Sequence, residues 1–352
     1  MEQKKALIGM SGGVDSSVAA CLTLQKGLEC AGGTMRLHDF SCGGADDALD
    51  ARAVADKLGI PHHIFPFQPE FEEHVIRQFV SAYENGLTPN PCIRCNAHLK
   101  FGAMLETALE MGFDYVVSGH YARVRQDEHT GRYLLYKAED RSKDQTYFLA
   151  SLNQHQLSHI LFPLGSLSKP EVREIAEKEG LITARKRDSQ DICFVPDGDY
   201  AAFLQRYTGK SYPEGDYLDL KGNIVGRHKG AACYTLGQRK GLGLALGAPV
   251  YVCGKNMQAN TVTVGPNEAL FSSALRATDW NWFPFPALTE PLRVTAKIRH
   301  SQHELPATVY PEENGFARVE FDAPQRAITP GQAVVLYNGD DVVGGGTISE
   351  VL

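Results

Sequence analysis

The stretch ALIGMSGGVDSS, residues 6–17, joins a short apolar run to a glycine turn. Residues 6–10 are typical of a buried strand, and residues 18–24 favour a helix. A strand, a glycine turn and a helix in this order direct the free amides of the helix N-terminus toward an anion. Gly12 and Gly13 let the backbone approach that anion closely. The stretch predicts a phosphate-binding turn, whereas a Gly-Gly pair taken alone is equally typical of an ordinary strand-to-helix turn with capping serines.

This turn differs from the two common nucleotide-binding motifs. It lacks the lysine that follows G-x-x-x-x-G in a Walker A motif, and it is not the G-x-G-x-x-G of dinucleotide-binding folds. Asp15 is unusual here because its negative charge opposes that of a phosphate. A Mg²⁺ ion that bridges Asp15 and a pyrophosphate would balance these charges.

Apolar and amphipathic segments alternate after the turn, which predicts an α/β domain with a doubly wound parallel sheet. Strands are predicted over 28–35, 62–67 and 115–118, and helices over 45–58 and around 71–83.

Ligands of such a sheet bind at the carboxyl ends of its strands. Met35 ends one predicted strand, and Gly119 and His120 follow another, so all three are candidates for the same site as the glycine turn. Met35 taken alone is more typical of a core position than of a ligand contact. Farther along, residues 168–171 (SKPE) have the pattern of a helix capping box with proline in the first turn.

The second half of the chain has a different pattern. From about residue 209, short apolar runs separated by Gly, Asn and Pro replace the helices, and alternating strands from about residue 275 indicate a small β-barrel. We therefore predict a catalytic α/β domain over 1–208, a small central domain over 209–274 and a β-barrel domain over 275–352.

Composition and charge are those of a globular protein. The chain has 352 residues, 43% hydrophobic and 22% charged, which excludes disordered, collagen-like and disulfide-stapled classes. No apolar run approaches the roughly 18 residues that span a bilayer, and we find no secretion signal. We expect a cytoplasmic protein without membrane contact, in which the cysteines are reduced. The net charge of −7 argues mildly against nucleic-acid binding but leaves room for a local basic face.

Two cysteine sites stand out, far apart in the sequence. Cys92 and Cys95 form a C-x-x-C in a proline-rich loop, where Arg94 and a helix N-terminus near Ala97 are expected to lower a thiol pKa. Half of a zinc site is an alternative, but no second C-x-x-C is present. Cys193 lies in an apolar tetrapeptide, so a buried structural role is equally reasonable for it taken alone. The other cysteines have no motif around them and are expected mostly in the core: Cys21, Cys30, Cys42, Cys233 and Cys253.

Several strings in a shared order give the sequence a family resemblance over nearly its whole length. The glycine turn resembles the pyrophosphate loop of ATP pyrophosphatases, and the whole set resembles the tRNA-specific 2-thiouridylases, the MnmA/TrmU family. The strings are GMSGGVDS at 9–16, TPNPC at 88–92, CN at 95–96, GHY at 119–121, KDQTYFL at 143–149, DSQ at 188–190, ICF at 192–194, TLGQRKGLG at 235–243 and PQRA at 324–327.

The resemblance implies ATP-dependent 2-thiolation of the wobble uridine, position 34, of tRNA. ATP adenylates the uridine O2, and a persulfide sulfur then replaces the adenylated oxygen, which yields AMP and pyrophosphate. Cys193 would carry the persulfide, received from a sulfur-relay protein or a cysteine desulfurase, and Cys95 would be the thiol that forms a transient disulfide with it. The residues implied for ATP binding are Gly9, Met10, Ser11, Gly12, Gly13, Val14, Asp15, Ser16, Met35 and Gly119.

Cys92 departs from the family pattern, because many members have an aspartate there as a candidate acid–base group. Three thiolates, Cys92, Cys95 and Cys193, would instead suit a [4Fe–4S] cluster with one open iron that carries hydrosulfide. We expect the persulfide route and keep the cluster as an alternative route to the same product.

The resemblance also implies where the tRNA anticodon stem-loop binds. A cation beside amide and carboxylate groups can contact phosphate and base edges, although the string at 143–145 taken alone is more typical of a solvated charged turn. The implied contacts are Lys143, Asp144, Gln145, His120, Arg299, His300 and Gln332. The wobble base would have to leave its stack, and binding would depend strongly on salt. A different pyrophosphate-loop synthetase and a non-catalytic tRNA-binding or iron–sulfur protein remain the rival classes.

Overall fold

The protein is described here from a computed structural model, over residues 3–38, 45–186 and 192–352. Cys42 and the string at 188–190 lie outside the described residues. The strands are β1 Lys5–Gly9, β2 Glu29–Arg36, β3 His62–Pro66, β4 Tyr115–Val117, β5 Ala122–Gln126, β6 Tyr133–Lys137, β7 Ile160–Leu161, β8 Gly215–Leu218, β9 Ile224–His228, β10 Tyr251–Asn256, β11 Thr261–Gly265, β12 Phe271–Trp282, β13 Leu292–Lys297, β14 Leu305–Pro311, β15 Ala317–Arg326, β16 Ala333–Asn338 and β17 Asp341–Val351. The α-helices are α1 Val14–Gln25, α2 Ala45–Leu58, α3 Gln68–Phe71, α4 Arg77–Glu84, α5 Pro91–Cys95, α6 Met104–Glu110, α7 Thr146–Leu149, α8 Gln154–Ser158, α9 Lys169–Lys178 and α10 Tyr200–Thr208.

A five-stranded parallel sheet in the order β3-β2-β1-β4-β7 forms the first domain. Successive side chains of the central strand β1 enter different hydrophobic clusters, Leu7 on one face and Ala6 and Ile8 on the other, as the two-residue period of a strand requires. From β1 the chain adds β2 and β3 on one side of the sheet and then β4 and β7 on the other. The predicted doubly wound sheet is therefore confirmed, and the carboxyl ends of β1 and β4 meet at one edge.

The helix that carries the C-x-x-C begins earlier than expected. It starts at Pro91, and a π-helical segment, Asn96–Ala103, continues it into α6. The expectation of a helix N-terminus near Ala97 is wrong, because the Asn90 side chain caps the helix by accepting the Cys92 N–H at 3.1 Å. Cys92 thus lies in the first turn and Cys95 one turn later.

Two β structures follow α10. A small sheet, β10-β11-β8-β9, forms the central domain around the buried Tyr217, Val252 and Val262. Strands β12 to β17 close into the predicted barrel, because β12 pairs with both β15 and β17.

The barrel sheet has an extension that the sequence did not predict. The hairpin β5–β6, which comes from the first half of the chain, lies beside β17 and lengthens the barrel sheet to eight strands. Arg132, in the turn of this hairpin, donates to the Trp282 and Phe283 carbonyls at 2.9 and 2.6 Å. The hairpin therefore fixes the barrel to the parallel sheet.

Candidate active site

The glycine turn lies at the carboxyl end of the central strand. Gly12 has a φ of 71°, and a Cβ on it would lie 2.3 Å from the Asp47 carbonyl oxygen in α2, so that only glycine fits. Gly13 is the N-cap of α1, and Ser17 donates its N–H back to the Gly13 carbonyl at 3.2 Å. The three amides between them, residues 14–16, precede this first helical bond and are available to an anion.

Hydroxyl groups hold the turn in shape from within. The Ser16 Oγ donates to the Gly13 carbonyl at 3.0 Å and accepts the Ser11 N–H at 3.2 Å. Ser17 Oγ donates to the same carbonyl at 2.9 Å and accepts from Thr183 Oγ1 at 3.0 Å. Ser16, which the resemblance implies for ATP binding, and Ser17 are thus partly engaged in stabilising the turn, which leaves the backbone amides as its main anion-binding groups.

Gly119 brings the end of β4 against the turn. A Cβ on Gly119 would lie 2.7 Å from the Asp15 carbonyl carbon and 2.8 Å from the Ser16 nitrogen. Met10 is tied to β2, since its N–H donates to the Gly33 carbonyl at 2.8 Å and its carbonyl accepts from Thr34 Oγ1 at 2.7 Å. The predicted nucleotide residues at both strand ends thus form one edge.

Met35 lies at the end of β2. Its side chain is half-buried and packs on the hydrophobic cluster that contains Leu7. Its place at this edge agrees with the prediction, and its packing agrees with the core alternative.

Asp15 has a partner that the sequence analysis missed. Lys169 Nζ donates to both Asp15 carboxylate oxygens, at 2.7 and 2.8 Å, and Tyr121 Oη donates to Oδ1 at 2.9 Å. Lys169 is 8% exposed and Tyr121 2% exposed. The chain itself supplies the positive charge that we expected from Mg²⁺ at this carboxylate. The only local signal for Lys169 was the capping box at the start of α9, which the structure confirms.

The two thiols of the C-x-x-C differ in exposure. Cys92 is exposed to solvent, whereas Cys95 is 8% exposed and belongs to the hydrophobic cluster beneath the sheet. Burial raises the pKa of the Cys95 thiol, and the charge of Lys100 opposes that rise. The expectation that Arg94 lowers a thiol pKa is wrong, because its guanidinium turns away and donates to the His74 carbonyl at 2.8 Å.

Cys193 reaches the same cluster from the other cysteine site. It is half-buried and packs on the cluster that includes Cys95, and the next residue, Phe194, lies edge-on to Phe71 and Phe79 at 5.7 and 5.1 Å between ring centroids. Both predicted sulfur residues therefore contribute to one hydrophobic cluster. Of the remaining cysteines, Cys21, Cys30 and Cys233 are buried as expected, while Cys253 is half-buried.

The described residues do not gather ligands for a metal ion. Within residues 3–38, 45–186 and 192–352, no three His, Cys, Asp or Glu side chains are placed to hold one. Cys92, Cys95 and Cys193 thus do not form a preorganised cluster site in this conformation.

His120 lies next to Gly119 and is held by aromatic rings. Its Nδ1 shares a 2.7 Å hydrogen bond with Ser118 Oγ, and its ring lies 5.7 Å from Phe101 and 6.1 Å from Phe162. Burial lowers the pKa of His120 well below its ordinary value, and Lys100 lowers it further. The imidazole is therefore neutral at physiological pH.

The loop at residues 140–145 contains three predicted tRNA contacts in different environments. Asp144 is buried, and its carboxylate accepts from the Ala138 N–H at 3.0 Å and from Thr146 Oγ1 at 2.7 Å. This carboxylate shapes the loop and does not face solvent. Gln145 exchanges two bonds with the backbone of Tyr121, at 2.9 and 3.0 Å, while Lys143 is half-buried and engaged.

The barrel contributes the remaining predicted contacts at the joint between domains. Arg299 Nη2 donates to the Ala327 carbonyl at 2.9 Å and to Thr329 Oγ1 at 3.0 Å, and the ring of His300 lies 4.4 Å from that of Phe148.

Gln332 ties the barrel to the loop before the C-x-x-C. Its Nε2 donates to the Thr88 carbonyl at 3.1 Å, and the Thr88 N–H donates to the Pro330 carbonyl at 2.9 Å. The barrel thus directly supports the segment that leads to Cys92.

Among the described residues, none of the helices has the length and apolar character needed to cross a membrane.

Three family models match the chain in succession. Residues 4–197 match the tRNA methyl transferase HUP domain, residues 201–266 the tRNA methyl transferase PRC-barrel domain, and residues 272–348 the aminomethyltransferase beta-barrel domain. Together with the glycine turn at the edge of the parallel sheet, these matches define a nucleotide-binding protein of the pyrophosphate-loop type with two appended β domains.

Curated relatives match over nearly the full length. The tRNA-specific 2-thiouridylase MnmA of Acetivibrio thermocellus is 49% identical over 99% of this chain and 100% of its own, and that of Clostridioides difficile is 48% identical over 99% of each. The chain belongs to the tRNA-specific 2-thiouridylase MnmA family, and the predicted family and enzyme class are confirmed. A solved 4-thiouridine synthetase–RNA complex with bound ATP is distant, at 17% identity and a TM-score of 0.36 over 58% of this chain and 50% of that one.

Proposed function

We propose that this protein catalyses ATP-dependent 2-thiolation of the wobble uridine, position 34, of tRNA. The observation that carries the proposal is that a chain with full-length family identity keeps Cys95 and Cys193 on one hydrophobic cluster beneath the sheet that bears the glycine turn. The turn would bind the nucleotide, and the two thiols would carry and release the sulfur.

The first step activates the base. The uridine O2 attacks the α-phosphorus of ATP, a bond forms from O2 to phosphorus, and pyrophosphate leaves. The amides of residues 14–16 face the position in which helix geometry favours a pyrophosphate. Lys169 already balances the charge of Asp15, so a Mg²⁺ ion bound with the nucleotide phosphates would not be needed for that purpose.

The second step delivers sulfur. A persulfide-carrying relay protein or a cysteine desulfurase loads a terminal sulfur onto Cys193. The Cys95 thiolate attacks the Cys193 Sγ and releases hydrosulfide, which replaces AMP at C2 of the uridine. A Cys95–Cys193 disulfide remains, and a dithiol reductant must supply two electrons to reopen it. The raised pKa of Cys95 keeps it a thiol until a partner or substrate changes its surroundings.

A [4Fe–4S] cluster is the alternative sulfur carrier. The described residues do not present three grouped ligands, so this arrangement favours the route with thiols alone.

The tRNA substrate would bind along the face formed by the 140–145 loop and the barrel residues Arg299, His300 and Gln332. Base flipping would bring the uridine from its stack to the sulfur. Because Asp144 is buried, Lys143 and Arg299 are the stronger candidates for phosphate contacts.

The deciding experiment measures AMP and pyrophosphate formation with a tRNA transcript that has a wobble uridine. We expect tRNA-dependent release in the wild type, and release without sulfur transfer in Cys193→Ser. Cys253→Ser, which changes a half-buried cysteine of the central domain, is the matched control and should retain both activities. An absence of tRNA-stimulated pyrophosphate release would reject the proposal in favour of a non-catalytic binding protein.

A further inference from the structure

Asp15 of the glycine turn is held from two independent directions. Tyr121 Oη donates to its Oδ1, and Lys169 Nζ donates to both oxygens. Both donor residues are more than nine-tenths buried. The orientation of this carboxylate, and with it the first turn of α1, therefore depends on the segment between β4 and β5 and on the start of α9.

Tyr121 and Lys169 are both hydrogen-bonded to the same loop, residues 140–145. The Tyr121 N–H donates to Gln145 Oε1 at 2.9 Å, and the Gln145 N–H donates to the Tyr121 carbonyl at 3.0 Å. The Lys169 N–H donates to Asp140 Oδ2 at 3.1 Å. Asp140 and Gln145 are the two ends of the loop, so each end is bonded to one of the two groups that hold Asp15.

Internal hydrogen bonds make the loop a compact unit. Asp140 Oδ1 accepts from the Ser142 N–H at 3.0 Å and from Ser142 Oγ at 2.6 Å, and the Asp140 carbonyl accepts the Lys143 N–H at 3.1 Å. Asp144 anchors the other half through its buried carboxylate. The outer side of the loop presents the exposed Arg141, which pairs with Asp340 of the barrel. A phosphate that engages this side would act on the whole loop.

The tight packing of the Tyr121 segment against the glycine turn would transmit a movement of the loop. Gly119, two residues before Tyr121, touches the Asp15 and Ser16 backbone so closely that even a methyl group does not fit. Packed interiors deform little, so a shift of the Tyr121 segment has to shift the turn.

We propose that Tyr121 and Lys169 are positioning residues through which RNA bound at the 140–145 loop sets the affinity of the glycine turn for ATP. This inference rests on the proposed function, since it requires tRNA at that loop. It makes tight binding of ATP conditional on bound tRNA.

The test is a thermodynamic linkage measurement on the full-length protein. The dissociation constant of α,β-methylene-ATP, whose α–β bridge does not cleave, is measured without and with a saturating wobble-uridine tRNA transcript. The dissociation constant of the transcript is then measured without and with the nucleotide. Linkage requires the two ratios to be equal, and coupling factors of about 5 to 150 are typical.

The variants are Tyr121→Phe, which removes one hydroxyl, and Lys169→Met, which removes one charge. The matched control is Tyr200→Phe, since Tyr200 Oη also makes a 2.9 Å bond, to the Cys233 carbonyl away from the turn. We expect the wild type and the control to show at least fivefold coupling. Both test variants should bring it below about twofold and still bind the transcript alone as the wild type does.

Each outcome either supports or refutes the inference. Coupling in Tyr121→Phe equal to that of the wild type would overturn the inference even if Lys169→Met misfolds, because Tyr121→Phe keeps the ion pair. Equal affinities for ATP with and without tRNA in the wild type would also overturn it. A wild-type protein that does not bind the transcript would refute the proposed function itself, which is a different result.

Discussion

The contact at Gly119 allows a quantitative prediction about the nucleotide site. Alanine there would place a Cβ 2.7 Å from the Asp15 carbonyl carbon, where ordinary contact begins at 3.4 Å, so the turn must retreat by about 0.7 Å. The clashing atoms are backbone and cannot rotate away. Such overpacking costs about 1–3 kcal/mol of stability, and a misplacement of about 1 Å at a reacting group can cost about 100-fold in rate. We therefore expect Gly119→Ala to slow tRNA-dependent pyrophosphate release by about 10- to 100-fold.

The assay pairs this rate with the dissociation constant of α,β-methylene-ATP and with urea unfolding. Gly254→Ala is the matched control, because a Cβ there meets Thr263 at an ordinary 3.6 Å in the central domain. The control should leave the rate within twofold of wild type. If Gly119→Ala also releases pyrophosphate and binds the nucleotide within twofold of the wild type, the turn is not set by this contact and the reasoning fails.

Three further predictions concern the sulfur site, pH and the domain joint. Cys92→Ala should retain sulfur transfer, and anaerobically purified wild type should lack stoichiometric iron and acid-labile sulfide; bound iron together with inactivity of the variant would favour the cluster route. The folded protein keeps His120 neutral, whereas the unfolded chain takes up a proton at this residue near pH 6.5, so the free energy of unfolding should fall as the pH drops below that value. Urea unfolding at about pH 7.5 and about pH 5.5 should therefore show a smaller loss of stability in His120→Gln than in the wild type. Equal losses would contradict this prediction. Gln332→Ala removes the bond to the Thr88 carbonyl and should speed hydrogen exchange over residues 88–92 by about tenfold, so unchanged exchange would show that the barrel does not support that segment.

The sequence predicted the parts of the fold that depend on local periodicity. The strand at 62–67 and the helix at 45–58 were placed within a residue or so, because alternation and capping are short-range signals. The hairpin β5–β6 was missed, since its attachment to β17 joins segments about 200 residues apart and leaves no local pattern.

The same contrast between local signals and long-range contacts applies to the site. The glycine turn and the two cysteine sites were visible as motifs. The α/β prediction placed the turn at one sheet edge with Gly119, whereas only the family resemblance paired Cys95 with Cys193. Arg94 was misjudged because sequence proximity to a thiol does not fix where a long side chain points. The burial of Asp144 was also not visible, because a charged residue in a polar string gives no sign that two donors will enclose it.

The pairing of Asp15 with Lys169 explains why an acid can persist in a phosphate-binding turn. An unpaired carboxylate at this position would repel a pyrophosphate and would also be costly to desolvate. Lys169, 154 residues away, removes both penalties with two charge-assisted bonds, and it brings a buried cation next to the anion-binding amides. The same pair creates a vulnerability, because removal of the Asp15 carboxylate leaves the Lys169 ammonium buried and uncompensated. A single substitution at Lys169 should therefore weaken folding and nucleotide binding together, whereas Tyr121→Phe separates them because it leaves the ion pair in place.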